Sequence, residues 1–187
     1  MKHLGTQTIE TKRLILRRFT LLDCENVFNN WASSERVTKF LTWEPHKNVE
    51  ETKKVISQWI ENYQNCNDFY NWAIILKDDG ICYGSISAVS VNDKTKSVET
   101  GYALSQKLWG KGIMTEAYKA VISYFFEKVG VLRIHSKHDV LNPASGKVME
   151  KAGLIKEGLL RKAGYNNQGI CDVNVYSILK EDYFKNK

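Results

Sequence analysis

No stretch of this chain approaches the ~18 consecutive apolar residues that a membrane span requires, and MKHLGTQTIETKRL at its start turns polar at once. A soluble, unexported, cytoplasmic protein without a membrane partner is therefore expected. Cys24, Cys66, Cys82 and Cys171 form no C-x-x-C pair. That excludes a zinc knuckle or a dithiol redox motif and fits reduced thiols. No basic block and no interleaving of aromatic with basic residues stands out, so direct nucleic-acid binding has no support. Internal repeats, low-complexity tracts and linkers are lacking too.

What is present is a composition fit for one core. The 187 residues are 43% apolar and include five tryptophans, which suits a single domain over 1–187. A formal charge of +6 suits an anionic ligand, although the lysines are dispersed.

The order of elements reads as mixed α/β. Arg13 to Arg17 is strand-like, and Thr20 with Asp23 has the spacing of a capping box ahead of Val27, Phe28 and Trp31. Asn48 with Glu51 repeats that logic before the helical face Val55, Ile56, Trp59, Ile60 and Tyr63. The period then changes. Asn71 to Lys77, Ile81 to Val91 and Ser97 to Leu104 read as three antiparallel strands joined by polar turns. A helix follows from about Thr115 to Lys128, stopped by Gly130. Val131 to Lys137 is a strand, Pro143 to Ala152 a helix closed by Gly153, and Leu154 to Arg161 a strand. A last hairpin turns at Asn166 to Gly169 and returns along Val173 to Leu179.

Between the third strand and the helix lies QKLWGKGIMTEA, residues 106–117. A strand, a glycine loop and a helix N terminus make an anion site, because the first helical N–H groups lack partners and the macrodipole is positive there. Glycines let the backbone approach oxygens closely, and Lys111 adds a screened charge; a tight strand-to-helix turn explains the same residues. Gly110 and Gly112 stand one residue apart, so a P-loop is excluded. Thr115 occupies the third glycine position of a dinucleotide fingerprint, and the strands before it are hairpin-linked rather than parallel. A pyrophosphate loop after an antiparallel sheet points to coenzyme A.

VETGYALSQKLWGKGIMTEA followed by LNPASGKVMEKAGL resembles the signature of the GCN5-related N-acetyltransferases, GNAT, and within them the RimJ/RimL branch of ribosomal-protein N-terminal acetyltransferases. The resemblance runs from ETKRLILRRF to DVNVYSILKEDY, nearly the whole chain. It implies a mixed, mostly antiparallel sheet flanked by helices, with acetyl-CoA as co-substrate in a V-shaped cleft between the strands ending near Leu104 and beginning near Val131. The family's Q/R-x-x-G-x-G/A loop, which holds the pyrophosphate through main-chain amides, is matched by Lys107, Leu108, Trp109, Gly110, Lys111 and Gly112, with lysine in place of the usual Gln or Arg. The amides of Ile113, Met114 and Thr115 continue that cradle. Tyr102, Ala103 and Leu104 lie where the family pairs pantetheine with the strand, although Trp109 also reads as an aromatic packed on the sheet.

Acetyl transfer to an amine needs a neutral nitrogen, a polarised carbonyl and a way to accept charge on the thiolate. Glu99 shares a strand face with Gly101 and Ala103, beside small residues that leave room for a second molecule. It is the candidate base, with a solvated strand glutamate as the plainer alternative. Asn142, Pro143 and Ser145 read first as a helix cap. The resemblance adds that Asn142 bonds the pantetheine arm and that Ser145 lies near the sulfur as thiolate stabiliser or acid. His135 and His138, three apart on a strand, face opposite ways, so no metal is expected. No cysteine is placed by motif as a nucleophile, which favours direct transfer. The implied acceptor is a ribosomal-protein N terminus. Polyamines, amino acids, antibiotics and a non-catalytic acyl-CoA-binding module stand as alternatives, and a homodimer is compatible with the family.

Overall fold

The computed structural model describes residues 1–185. Its strands are β1 (Ile9–Glu10), β2 (Leu14–Arg17), β3 (Asn71–Leu76), β4 (Cys82–Asn92), β5 (Ser97–Leu104), β6 (Arg133–Asp139), β7 (Ile155–Asn166) and β8 (Gly169–Leu179). They form one sheet in the order β1-β2-β3-β4-β5-β6-β8-β7. Each neighbouring pair is antiparallel except β5 and β6. Those two run parallel because a helical crossover, α4 (Ile113–Tyr124), separates them in sequence.

The parallel ladder is short. It holds the rungs Ser97–Arg133, Val98–Ile134 and Glu99–His135, then stops. Side chains finish what the backbone leaves: Ser136 Oγ donates to the Thr100 carbonyl at 2.8 Å, and Thr100 Oγ1 donates to the His135 carbonyl at 3.2 Å. On the other flank, β4 bulges between Ala88 and Ser90, opposite Glu99 and Thr100. A bulge bends its strand and increases the local twist. A Cβ on Gly101 would sit 2.8 Å from Val89 Cγ2, so glycine lets the bulged residue close over β5. Beyond Glu99 no backbone pairing joins β5 to β6, which is where the cleft was expected.

Two cores lie on the two faces of the sheet. Strand alternation sends Trp72, Ile74, Ile86, Val98, Ile134 and Ile178 to one side, where they pack with Ile113, Ala117, Val121 and Phe125 of the α4 region and Met149 of α5 (Pro143–Ala152). Ala73, Ile75, Cys82 and Ala103 face the other way. There they meet Val27 of α1 (Cys24–Val27), Trp31, Val37 of α2 (Glu35–Thr38) and Ile56 of α3 (Val49–Asn65). Asn48 caps α3 as expected, its Oδ1 accepting the Glu51 N–H at 3.0 Å.

Several boundaries differ from the sequence reading. The first helix breaks into a 3-10 turn (Leu21–Asp23), α1 and a π turn (Phe28–Ala32). Its start is held by Asp23, which accepts from the Thr20 N–H at 2.8 Å and from both terminal nitrogens of Arg17 at 2.8 Å. The central helix starts at Ile113 and passes into a π turn (Phe125–Val129) before Gly130, whose φ of 79° closes it. The expected strand at 131–137 lies at Arg133–Asp139, because Val131 is buried in the connection. β7 continues to Asn166 and β8 starts at Gly169, beyond the expected 154–161 and 173–179, because β7 is exposed along most of its length and carries no alternation to mark its extent. A short terminal helix, α6 (Lys180–Lys185), had no periodic signal.

Candidate active site

The glycine loop stands at the mouth of the splay. Gly110 and Gly112 both have φ of 73°, in the left-handed region that favours glycine. A Cβ at Gly110 would meet nothing within 4 Å, and at Gly112 its nearest neighbour would be Arg13 Nη2 at 3.7 Å. Conformation rather than room therefore demands glycine. The left-handed Gly112 is the N-cap of α4, and the first helical bond runs from the Glu116 N–H to the Gly112 carbonyl at 3.0 Å. The N–H groups of residues 112–115 precede that bond and have no upstream carbonyl of the helix to meet.

Glu116 would spoil an anion site in the first turn if its charge were free. Instead its carboxylate accepts Thr11 Oγ1 at 2.6 Å, the Arg13 N–H at 2.9 Å and Arg13 Nε at 2.6 Å. Burial alone would raise this carboxyl's pKa, but the bonds from Thr11 and Arg13 outweigh it and hold the group below its usual range. Arg13 Nη1 also donates to the Lys111 carbonyl at 2.9 Å. The β1–β2 turn thus neutralises Glu116 and fixes the loop.

The other loop residues take structural positions. Leu108, Ile113 and Met114 are buried core side chains, so only their backbones can face a ligand. Lys107 Nζ donates to Asn30 Oδ1 at 2.9 Å and ties the loop to the π turn. Trp109 Nε1 donates to the Leu104 carbonyl at 2.8 Å while its ring stays half-exposed. Along β5 the Thr100 carbonyl faces β6, so by alternation the N–H and C=O of Tyr102 lie on the splayed edge. Ala103 and Leu104 are buried on opposite faces.

Tyr102 and Ser145 bridge the cleft. The Tyr102 hydroxyl donates to the Ser145 carbonyl at 3.0 Å and lies 2.9 Å from Ser145 Oγ. Burial pushes the phenol's pKa far up, so the Tyr102 hydroxyl keeps its proton at neutral pH. The helix cap at Asn142 needs correction. Asn142 is the N-cap by position, yet its side chain makes no capping bond. Its backbone N–H donates to the Asp139 carbonyl at 2.8 Å. Gly146, one residue after Ser145, is dictated by packing, since a Cβ there would lie 2.6 Å from His138 Nε2.

Glu99 sits on the last parallel rung, at the fork, with its side chain 18% exposed. Lys137 Nζ lies 3.0 Å from Oε1 and His135 Nε2 lies 3.8 Å from Oε2. His135 Nδ1 is buried without a hydrogen-bond partner. Burial pushes this imidazole's pKa down, against the upward pull of Glu99, so it is neutral at neutral pH. Next to it, Arg133 is committed to Glu157 by two bonds of 2.6 Å. Those bonds, with one from Ser177, bring the Glu157 carboxyl down to about 2. His138 faces the opposite side of β6, as expected, with Nδ1 donating to the Asp139 carbonyl at 2.7 Å. Among the described residues no group of three His, Cys, Asp or Glu side chains could hold a metal ion.

The face that carries Glu99 also carries α1 to α3, and the tip of the last hairpin is fastened to it. Asn167 Nδ2 donates to the carbonyls of Thr38 at 3.0 Å and Trp43 at 2.8 Å, and its N–H donates to that of Leu41 at 3.1 Å. Sequence reasoning did not join Lys137 and His135 to Glu99, or Asn167 to Thr38 and Trp43. The alternation of His135 with Lys137 on one strand was the only signal for the first two, and nothing local marked the third.

Comparison with known proteins agrees with this fold. Residues 13–155 match the family model described as Acetyltransferase (GNAT) domain. The chain is 33% identical over 172 residues to the uncharacterized N-acetyltransferase YoaA of Bacillus subtilis strain 168, covering 92% of this chain and 96% of that one. It is 30% identical over 128 residues to the ribosomal-protein-serine acetyltransferase of Escherichia coli K12, covering 68% and 70%. Among solved structures, a GNAT-family acetyltransferase from Bacillus anthracis superposes with a TM-score of 0.81 at 27% identity, over 94% of this chain and 99% of that one.

Proposed function

The chain belongs to the GNAT family of N-acetyltransferases, and from that premise we propose that it transfers the acetyl group of acetyl-CoA directly to the α-amino group of a protein N terminus. The carrying observation is the fork itself: a carboxylate on the last parallel rung, a splayed edge beyond it, and a left-handed glycine loop at the mouth. The N–H groups of Gly110 and of residues 112–115 suit a pyrophosphate, the edge of Tyr102 and the carboxamide of Asn142 suit a pantetheine arm, and Ser145, whose Oγ lies 2.9 Å from the Tyr102 hydroxyl, would donate to the thioester sulfur. Bound there, acetyl-CoA supplies an activated acetyl thioester.

Glu99 accepts the proton of the incoming amine, directly or through water. An α-amino group, with a reference pKa of about 7.7–8.0, asks less of that base than a lysine at about 10.4. General-base assistance contributes roughly 10²- to 10⁴-fold. Ser145 Oγ donates to the departing thiolate while the Tyr102 hydroxyl turns to donate to Ser145 Oγ. The buried thiols do not offer a covalent route, since burial raises Cys24 and takes Cys82 up to about 12. The E. coli relative named as a ribosomal-protein-serine acetyltransferase supports a protein acceptor.

Thiol release from acetyl-CoA, measured with N-terminal peptides, polyamines, amino acids and aminoglycosides, tests the reading. Release with N-terminal peptides is expected. Release only with a small-molecule amine would replace the acceptor, and tight CoA binding without release across the panel would make the protein a binding module.

A further inference from the structure

Lys137 is outside the machinery described so far, yet its ammonium lies 3.0 Å from Glu99 Oε1. An acceptor ammonium must reach the same carboxylate before it can be deprotonated. Lys137 therefore occupies the place of the acceptor's charge, and a simple cation arriving beside it meets a like charge within a few Å. Such juxtaposition disfavours binding of the charged amine, and it disfavours polycationic amines most. The neighbouring groups offer no relief: Arg133 is closed on Glu157 and His135 is neutral at neutral pH. Lys137 is itself about half exposed and on a flexible stem, so its ammonium is free to turn toward a second anion.

On these grounds, and resting on Glu99 as the acceptor-side base, we propose that Glu99 and Lys137 form a dipolar receptor for an amine that carries a carboxylate close by. The ammonium pairs with Glu99, the carboxylate replaces Glu99 as the partner of Lys137, and every charge in the fork stays compensated. The carboxylate has two possible sources, the acidic side chain of a residue at or next to a peptide N terminus and the α-carboxylate of a free amino acid.

Two matched pairs read the preference and separate the sources: peptides differing only by Asp or Asn at the second position, and an amino acid with its carboxamide, with spermidine as a polycation. For wild type, kcat/KM should favour the carboxylate member of one pair by about three- to tenfold, the range of a partly exposed ion pair. Lys137→Gln should abolish that ratio, and Lys137→Glu should invert it and improve spermidine. Calorimetric binding of the same pairs to the CoA-loaded protein reads the preference without turnover. Failure of acetylation with a carboxylate preference intact in binding would count against the proposed function alone. Equal handling of both members in kcat/KM and in binding, or a preference unchanged in Lys137→Gln, would overturn the dipolar receptor.

Discussion

Gly112→Ala perturbs the phosphate cradle at one atom. At φ of 73° an L side chain pays about 1–2 kcal/mol relative to glycine, while the added Cβ finds only Arg13 Nη2 at 3.7 Å, an ordinary contact. The cost is therefore backbone strain with no clash to relieve. The part of this strain that the loop retains lowers the melting temperature by roughly 2–8 °C for a domain of this size. The backbone relieves the rest by turning the N–H groups at the head of α4 away from the cradle. Each charge-assisted bond lost to an anion is worth about 1.5–3 kcal/mol, so CoA affinity should fall about ten- to hundredfold. Gly130→Ala is the matched control: its φ is 79°, nothing lies within 4 Å of its Cβ, and it closes the far end of the helix, about 25 Å away. Calorimetry with CoA beside thermal melts separates the two. Both variants should lose stability, and only Gly112→Ala should lose CoA. Equal loss of CoA affinity in the two, or none in either, would refute the cradle.

Glu99→Gln should lower turnover about 10²- to 10⁴-fold and leave the dissociation constant for CoA unchanged; parallel loss of both would mean that Glu99 is structural. Asn167→Ala removes the donors to Thr38 and Trp43 and should raise the acceptor KM several-fold at constant CoA affinity, with about 1–3 kcal/mol of stability lost in denaturant titration. The imidazoles of His46 and His135 are both held below their ordinary range by burial, so the folded state binds fewer protons than the unfolded chain as pH falls through about 6.5. Stability should be at its full value above that pH and decline below it, and His135→Asn should flatten the decline of melting temperature between pH 7 and 5; an unchanged slope would remove His135 as a contributor.

The parts of the fold that depend on local pattern were legible in the sequence. β5 occupies Ser97–Leu104 and α5 occupies Pro143–Ala152, because alternation, Pro143 at the first helical turn and the left-handed Gly153 all act within a few residues. The sharing of one face by Glu99 and Ala103 follows from the two-residue period alone. What escaped is set by long-range register. That Glu99 meets His135 on the final rung depends on where a parallel pairing ends, and the helix between them hides that from any local window. The Thr11–Arg13–Glu116 clamp joins segments about a hundred positions apart, and Asn167 reaches backbone carbonyls that carry no side-chain signature. The missing cap at Asn142 was illegible for a related reason: its type and position suit a cap, but β6 turns into α5 through Asp139 instead.

A crystal structure of the protein with CoA tests the central claim most directly. The account predicts pyrophosphate oxygens within hydrogen-bond distance of the N–H groups of Gly110 and residues 112–115, the pantetheine arm along the edge of Tyr102, and the sulfur beside Ser145 Oγ on the way to Glu99. A CoA bound elsewhere on the surface, or one in the cleft whose sulfur points away from Ser145 and Glu99, would contradict it.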